Sequence, residues 1–208
     1  MRDWKFLQEN LVSTIRIIFN GYDINNLNSY EKRKIIFEYL TNTLNYDYYM
    51  LEKIRECKIY KTNLRRDPVE ELFSVINNKI GICNAISQYY KLLLEIVDVK
   101  SYCVICDDGT EVNHQLNLVY DIDNNSYSFD DITSVIVGRG TKEEYFDYDL
   151  QYANSVNQGN KNIMGIQSFF VLPEDYINYL IKREKSISDT LDRLPDNIVS
   201  LKNKAKTK

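Results

Sequence analysis

The sequence predicts an α+β fold, with helices first, an antiparallel sheet next and a helix last. Three observations predict it. Apolar residues recur at helical spacing through most of the first hundred positions. From Val99 the period changes to two, with short polar turns between the runs. After Pro173 the helical pattern returns. A chain of 208 residues with 44% apolar side chains suffices for one core with helical extensions.

Residues 3–19 place Trp4, Leu7, Leu11, Ile15 and Ile18 on one stripe of a helix. The run GYDINNLNS supplies a loop, and Ser29 is expected to cap a helix over 30–44. Lys32 then falls at the third helical position, so a full capping box is not expected. Ile35, Ile36, Tyr39, Leu40 and Leu44 form that helix's apolar face, and Asn45 and Asp47 mark its exit. Residues 48–60 continue as helix. KTNLRRDP breaks the pattern, and Pro68 suits the first turn of the next helix. Asn77, Asn78 and Gly81 are expected to form a turn before a helix at Cys83 that buries Ala85, Ile86, Tyr89, Leu92, Leu93 and Ile96 on one side.

SYCVIC, VNHQLNLVY and SYSFDDI then read as strands, separated by the turns DDGTE and DIDNN, and so as antiparallel neighbours. Residues 141–165 look irregular. SFFVL reads as a last strand, and PEDYINYLIKREKSISDTLDRL as a helix with Pro173 in its first turn. The expected division is an N-terminal helical extension over 1–28, a catalytic domain over 29–180, and a C-terminal helix and basic tail over 181–208.

Composition narrows the function. With 30 acidic against 26 basic side chains and a net charge of −4, the chain lacks the basic excess of a nucleic-acid binder. No run of 18 apolar residues is present, so no membrane partner is expected. The N-terminus carries charges and amphipathic spacing where a signal peptide would have an apolar core, which makes the cytoplasm the expected location. In that compartment Cys57, Cys83, Cys103 and Cys106 read as thiols. Cys103 and Cys106 have C-x-x-C spacing, but no second pair completes a zinc site and the flanks read as strand. No metal and no cofactor are expected. The terminal LKNKAKTK reads as a solvated tail.

The chemistry concentrates in three places. Cys83 opens a helix, where unpaired N–H groups and the helix dipole favour a thiolate and can hold an oxyanion. His114 is the only histidine and lies on a strand, sharing one face with Leu116, Leu118 and Tyr120. Asp130 and Asp131 follow on the next strand and point to opposite faces, so only one can orient the imidazole. Each residue also has a plain structural reading: a small buried thiol, a hydrogen-bonded histidine, a strand-end carboxylate. The order thiol, imidazole, carboxylate is that of a nucleophile, its base and the group that orients the base.

Four stretches resemble the transglutaminase-like superfamily. SYEKRKIIFEYLTNTLNYD (29–47) resembles the helix that opens that family's core. GICNAISQYYKLLLEIVDVKSYCV resembles its G-x-C helix and the step into a strand. HQLN at 114–117 is similar to its HAWN, and DNNSYSFDDITS to its DGKWYxxDxTW. Together they cover roughly residues 29–135. The chain departs from the pattern at Leu116, Tyr127 and Ser134, where the family has Trp. Laying DNNSY on the family's turn without gaps selects Asp131, with Thr133 two residues on. Placing an aromatic three residues before the acid selects Asp130. The turn and the Asp-x-Thr spacing favour Asp131. Asn117 matches the Asn of HAWN, for which a structural or site-wall role is expected.

The resemblance implies a papain-like core in which the Cys helix packs on an antiparallel sheet. It implies Cys83, His114 and Asp131 as a triad and a protein or peptide amide as substrate. Acyl transfer to water would make a cysteine protease or amidase, and transfer to an amine a transglutaminase. A binding module without chemistry is the reading from a different class. The sequence identifies no second oxyanion donor and no oligomeric state. KEEYFDYDLQYANS reads as a surface loop, a docking surface or a lid.

Overall fold

The computed structural model describes residues 4–61, 64, 67–106 and 113–148. The expected last strand, C-terminal helix, basic tail, DDGTE turn and the expected domain boundary at 180/181 lie outside those residues. The described part is a mixed α+β arrangement. Its elements are α1 (Trp4–Ile18), α2 (Ser29–Thr43), β1 (Asn45–Tyr46), α3 (Tyr48–Ile59), α4 (Pro68–Asn78), β2 (Ile80–Gly81) and α5 (Cys83–Ile96). β3 (Ser101–Cys106), β4 (His114–Asp121), β5 (Ser126–Asp130), α6 (Ile132–Ile136) and α7 (Lys142–Tyr145) follow. Among the described residues no helix is long and apolar enough to cross a membrane.

α5 is the centre. Every residue in it except Asn84 and Glu95 is buried, so the expectation of one apolar side was too narrow. A helix buried on all sides needs neighbours on all sides. α1, α2 and α4 pack against it from one direction, β3 and β4 from another. Its polar side chains are accommodated by specific bonds. Ser87 Oγ donates to Gln115 O at 3.0 Å, and Tyr89 donates to Thr14 Oγ1 at 3.2 Å. Lys91 pairs with Glu95 one turn on.

The three-stranded sheet has the order β3-β4-β5, antiparallel throughout, with Cys106 opposite His114 and Asn117 opposite Asp130. One apolar cluster joins α5 to the other helices and includes Val119 of β4. A second contains Val104, Cys106, Leu116, Leu118, Phe129 and Tyr148. Alternation along β4 divides its side chains between the two.

Several local expectations need correction. Asn28, not Ser29, caps α2. Its side chain accepts from Glu31 N at 2.8 Å, and Glu31 Oε2 accepts from Asn28 N at 2.9 Å, so the capping box is complete. The turn before Cys83 is in part a strand. β2 pairs in parallel with β1, with Tyr46 opposite Gly81. Bonds from Asn45 N to Lys79 O (2.8 Å) and from Asp47 N to Gly81 O (2.9 Å) fasten the pair. The strand expected through Asp131 and Ile132 ends at Asp130, because Asp131 caps α6. Residues 142–145 form α7, capped by Thr141. Beyond it Tyr148 bridges back to Phe129, so residues 145–148 cross β5 as a strap.

Candidate active site

Cys83 is the first residue of α5. The preceding Ile82 offers no side-chain acceptor to the helix N-terminus, which leaves its first N–H groups free of a side-chain cap. Gly81 sets the approach. A Cβ there would lie 2.3 Å from Val75 Cγ2, so only glycine lets α4 pack this close to the residues leading into the thiol. The thiol is 8% exposed.

His114 opens β4, where the strand's end meets the head of α5. Its Nε2 lies 2.7 Å from Asp131 Oδ2. The ring and the backbone N–H of Gln115 also act on the Cys83 thiol, and both lower it. With Nε2 engaged by the carboxylate, Nδ1 is the nitrogen left for sulfur. Asp131 is fully engaged as acceptor. Ser134 donates to it twice, from N to Oδ1 at 2.9 Å and from Oγ to Oδ2 at 2.7 Å. The Asp131 N–H in turn donates to Tyr145 O of the strap at 2.9 Å.

The electrostatics follow from these contacts. Burial alone would raise the Cys83 thiol, but the hydrogen bond and charge of His114 and the Gln115 N–H outweigh it, so the thiol lies below its ordinary value. Burial alone would lower His114, but the Asp131 charge and hydrogen bond, with the contact to Cys83, carry the imidazole well above its ordinary value. Burial opposes ionisation of Asp131 too, and His114 and Ser134 hold it below the usual carboxylate range regardless. All three shifts favour a thiolate–imidazolium pair beside a carboxylate. Cys103 shows the contrast: burial pushes its thiol up to about 12.

Asp130 faces elsewhere. Its carboxylate is fully buried and takes a two-pronged bond from Arg33, Nε to Oδ2 and Nη2 to Oδ1, both 2.6 Å. Tyr90 donates to the same carboxylate at 2.8 Å. Asn117 donates to Ser87 O at 2.9 Å and lies 3.9 Å from Cys103 Sγ, contacts that tie β4 to α5. Cys103 and Cys106 pair with Asn117 and His114 respectively, at strand positions of opposite parity. Among the described residues no group of three or more His, Cys, Asp or Glu is arranged to hold a metal ion.

Two residues at the site escaped the sequence reading. Ser134 stood out only as a departure from the family's Trp, although Asp131 is itself a residue type that caps helices and takes the N–H of the third helical residue, here Ser134. Tyr46 was passed over because its neighbour Gly81 is far away in sequence. Burial, then the charge of Cys83, holds the Tyr46 hydroxyl far above the ordinary phenol range, so it stays protonated. A cavity of about 170 Å³ adjoins the β2–α5 junction, lined by Asp47, Met50, Ser74 and Ile82 among others; Cys83 is not in its lining.

No family model matches the sequence, and no curated protein matches it. Among solved structures, one described as the crystal structure of a TGase is similar at 13% sequence identity with a TM-score of 0.47, over 94% of this chain. The chain spans 49% of that structure's length.

Proposed function

We propose that this protein is a transglutaminase-like cysteine hydrolase that cleaves peptide or protein amides through a thioester on Cys83. The observation that supports this reading most is one imidazole shared by two partners: Asp131 at 2.7 Å from Nε2, and the Cys83 thiol hydrogen-bonded to the same ring. In this reading the sulfur of the thiolate attacks the amide carbonyl. The oxyanion takes the backbone N–H of Cys83 at the uncapped head of α5. His114 delivers its proton to the departing amine, and the C–N bond breaks as the thioester remains. His114 then takes a proton from water, which attacks the thioester and releases the acid and the thiol. Asp131 holds the ring and stabilises its charged form throughout.

The same intermediate meets a primary amine in the alternative reading, a protein-glutamine transglutaminase. A binding module would use neither acceptor. One experiment separates the three. Iodoacetamide at mildly acidic pH is expected to label Cys83 and leave Cys103 untouched, and a casein or peptide library is expected to be cleaved. Cys83→Ala is expected to lower turnover on the order of 10⁴-fold or more while the far-ultraviolet circular dichroism is unchanged. Incorporation of a labelled amine without cleavage would replace hydrolysis by transfer. Failure of Cys83 to react faster than the other thiols would sink both catalytic readings.

A further inference from the structure

We infer that Arg33 of α2 is a positioning residue for the His114–Asp131 pair, acting through the residues on either side of that carboxylate in space. The inference rests on the catalytic reading of Cys83, His114 and Asp131 and extends it to a helix that contributes no reacting group.

Arg33 is 1% exposed, unusual isolation for a side chain that is always charged. One guanidinium holds two separate pieces of chain. Its Nε and Nη2 grip Asp130, the residue immediately before Asp131. Its Nη1 donates to Asp147 Oδ1 at 2.8 Å, in the strap. The strap is further tied by Asp147 N to Asp130 Oδ1 (2.9 Å) and by Ser128 Oγ to Asp147 Oδ1 (2.6 Å). The same strap accepts the Asp131 N–H at Tyr145 O. The Phe146 ring lies against the guanidinium, 4.8 Å from centroid to Cζ.

Asp131 is therefore bracketed. Its preceding residue and its backbone partner segment both end on Arg33, and neither contact touches its own carboxylate. The bracket is directional: Asp130, the last residue of β5, is held on Arg33, and Asp131 leaves the strand there as the cap of α6 with its carboxylate on His114. A buried ion pair is a poor stabiliser when set against packed apolar groups, yet its geometry is strict. Lysine keeps the charge but cannot form the two-pronged grip. Loosening the grip lets Asp131 drift, weakens its hold on the imidazolium, and so weakens the support for the Cys83 thiolate.

The test is the pH profile of Cys83 alkylation in the full chain, read by mass spectrometry. It needs no substrate. For Arg33→Lys the acid limb is expected to move up by about one pH unit, cutting the alkylation rate in the acid limb about tenfold. Asp147→Asn, at a half-exposed position, is expected to move it the same way by less. Leu11→Ala, which loosens the helical core away from the cluster, is expected to leave the profile in place. If Arg33→Lys does not fold, Asp147→Asn decides by the same shift. An unmoved profile in the folded variants, or an equal move in Leu11→Ala, overturns the inference. A wild-type Cys83 with an ordinary thiol profile overturns the catalytic reading instead, and the inference falls with it.

Discussion

At the residue scale, two neighbouring aspartates separate cleanly because the strand ends between them: Asp130 closes β5 on Arg33, and Asp131 caps α6 and holds His114. Asp131→Asn keeps the shape but presents an amide to the imidazole, which favours the wrong tautomer. Turnover is expected to fall on the order of 10⁴-fold with little loss of fold. Asp130→Asn leaves Arg33 buried without its carboxylate, and urea unfolding is expected to show a loss of about 3–5 kcal/mol. Turnover and unfolding measured side by side decide the roles; reversed losses would reverse them. The pH dependence has a definite sign. Asp131 is held below its ordinary value in the fold, so its contribution to stability is present above about pH 4 and is lost as pH falls through the depressed value. In Asp131→Asn that part of the acid sensitivity is expected to vanish. The types and order of the three clustered residues, Cys83, His114 and Asp131, were legible in the sequence. The turn and the Asp-x-Thr spacing favoured Asp131 over Asp130, but the group that holds Asp130 elsewhere, Arg33, is nearly a hundred positions away and had no signal there.

At the element scale, the head of α5 is set by a contact no periodicity reveals. Two-residue parallel strands have no pattern to read, so β1 and β2 looked like a helix exit and a turn. Gly81 was legible as a turn residue, but its reason is Val75, which is 0% exposed and fills the space a side chain would need. Gly81→Ala is expected to cost about 1–3 kcal/mol by overpacking and to slow Cys83 alkylation, since the displaced residues lead directly into the helix. Adding Val75→Ala is expected to recover part of both losses, giving a double variant less impaired than the sum of the singles. Thermal melts and alkylation rates of the four proteins check this. The cap of α2 was legible in principle, since Asn28 and Glu31 have capping-box spacing, and it was misread by one residue in favour of Ser29.

At the scale of the whole molecule, α5 is shared property. Its helix-facing side chains belong to one core, and its Ser87 holds the sheet through Gln115 and Asn117. The sequence showed one apolar stripe and hid the rest, because Ser87, Gln88 and Lys91 look like a solvent face until their partners are known. A helix claimed from both sides couples the two halves. Ile86→Ala, at a position 0% exposed, is expected to cost about 2–5 kcal/mol. Near- and far-ultraviolet signals are expected to fall together in a single transition, and separate midpoints would show the halves to be independent.

The short pairing of residues 45–46 with 80–81 has one more effect. It shuts a long loop that contains α3 and α4, and closing such a loop is an entropic cost met late, once the surrounding contacts exist to offset it. A nascent or half-assembled polypeptide thus carries at position 83 nothing more than an everyday cysteine. The lowered thiol of the folded chain depends on His114 and Gln115 being brought to it, so it exists only once those distant segments have met.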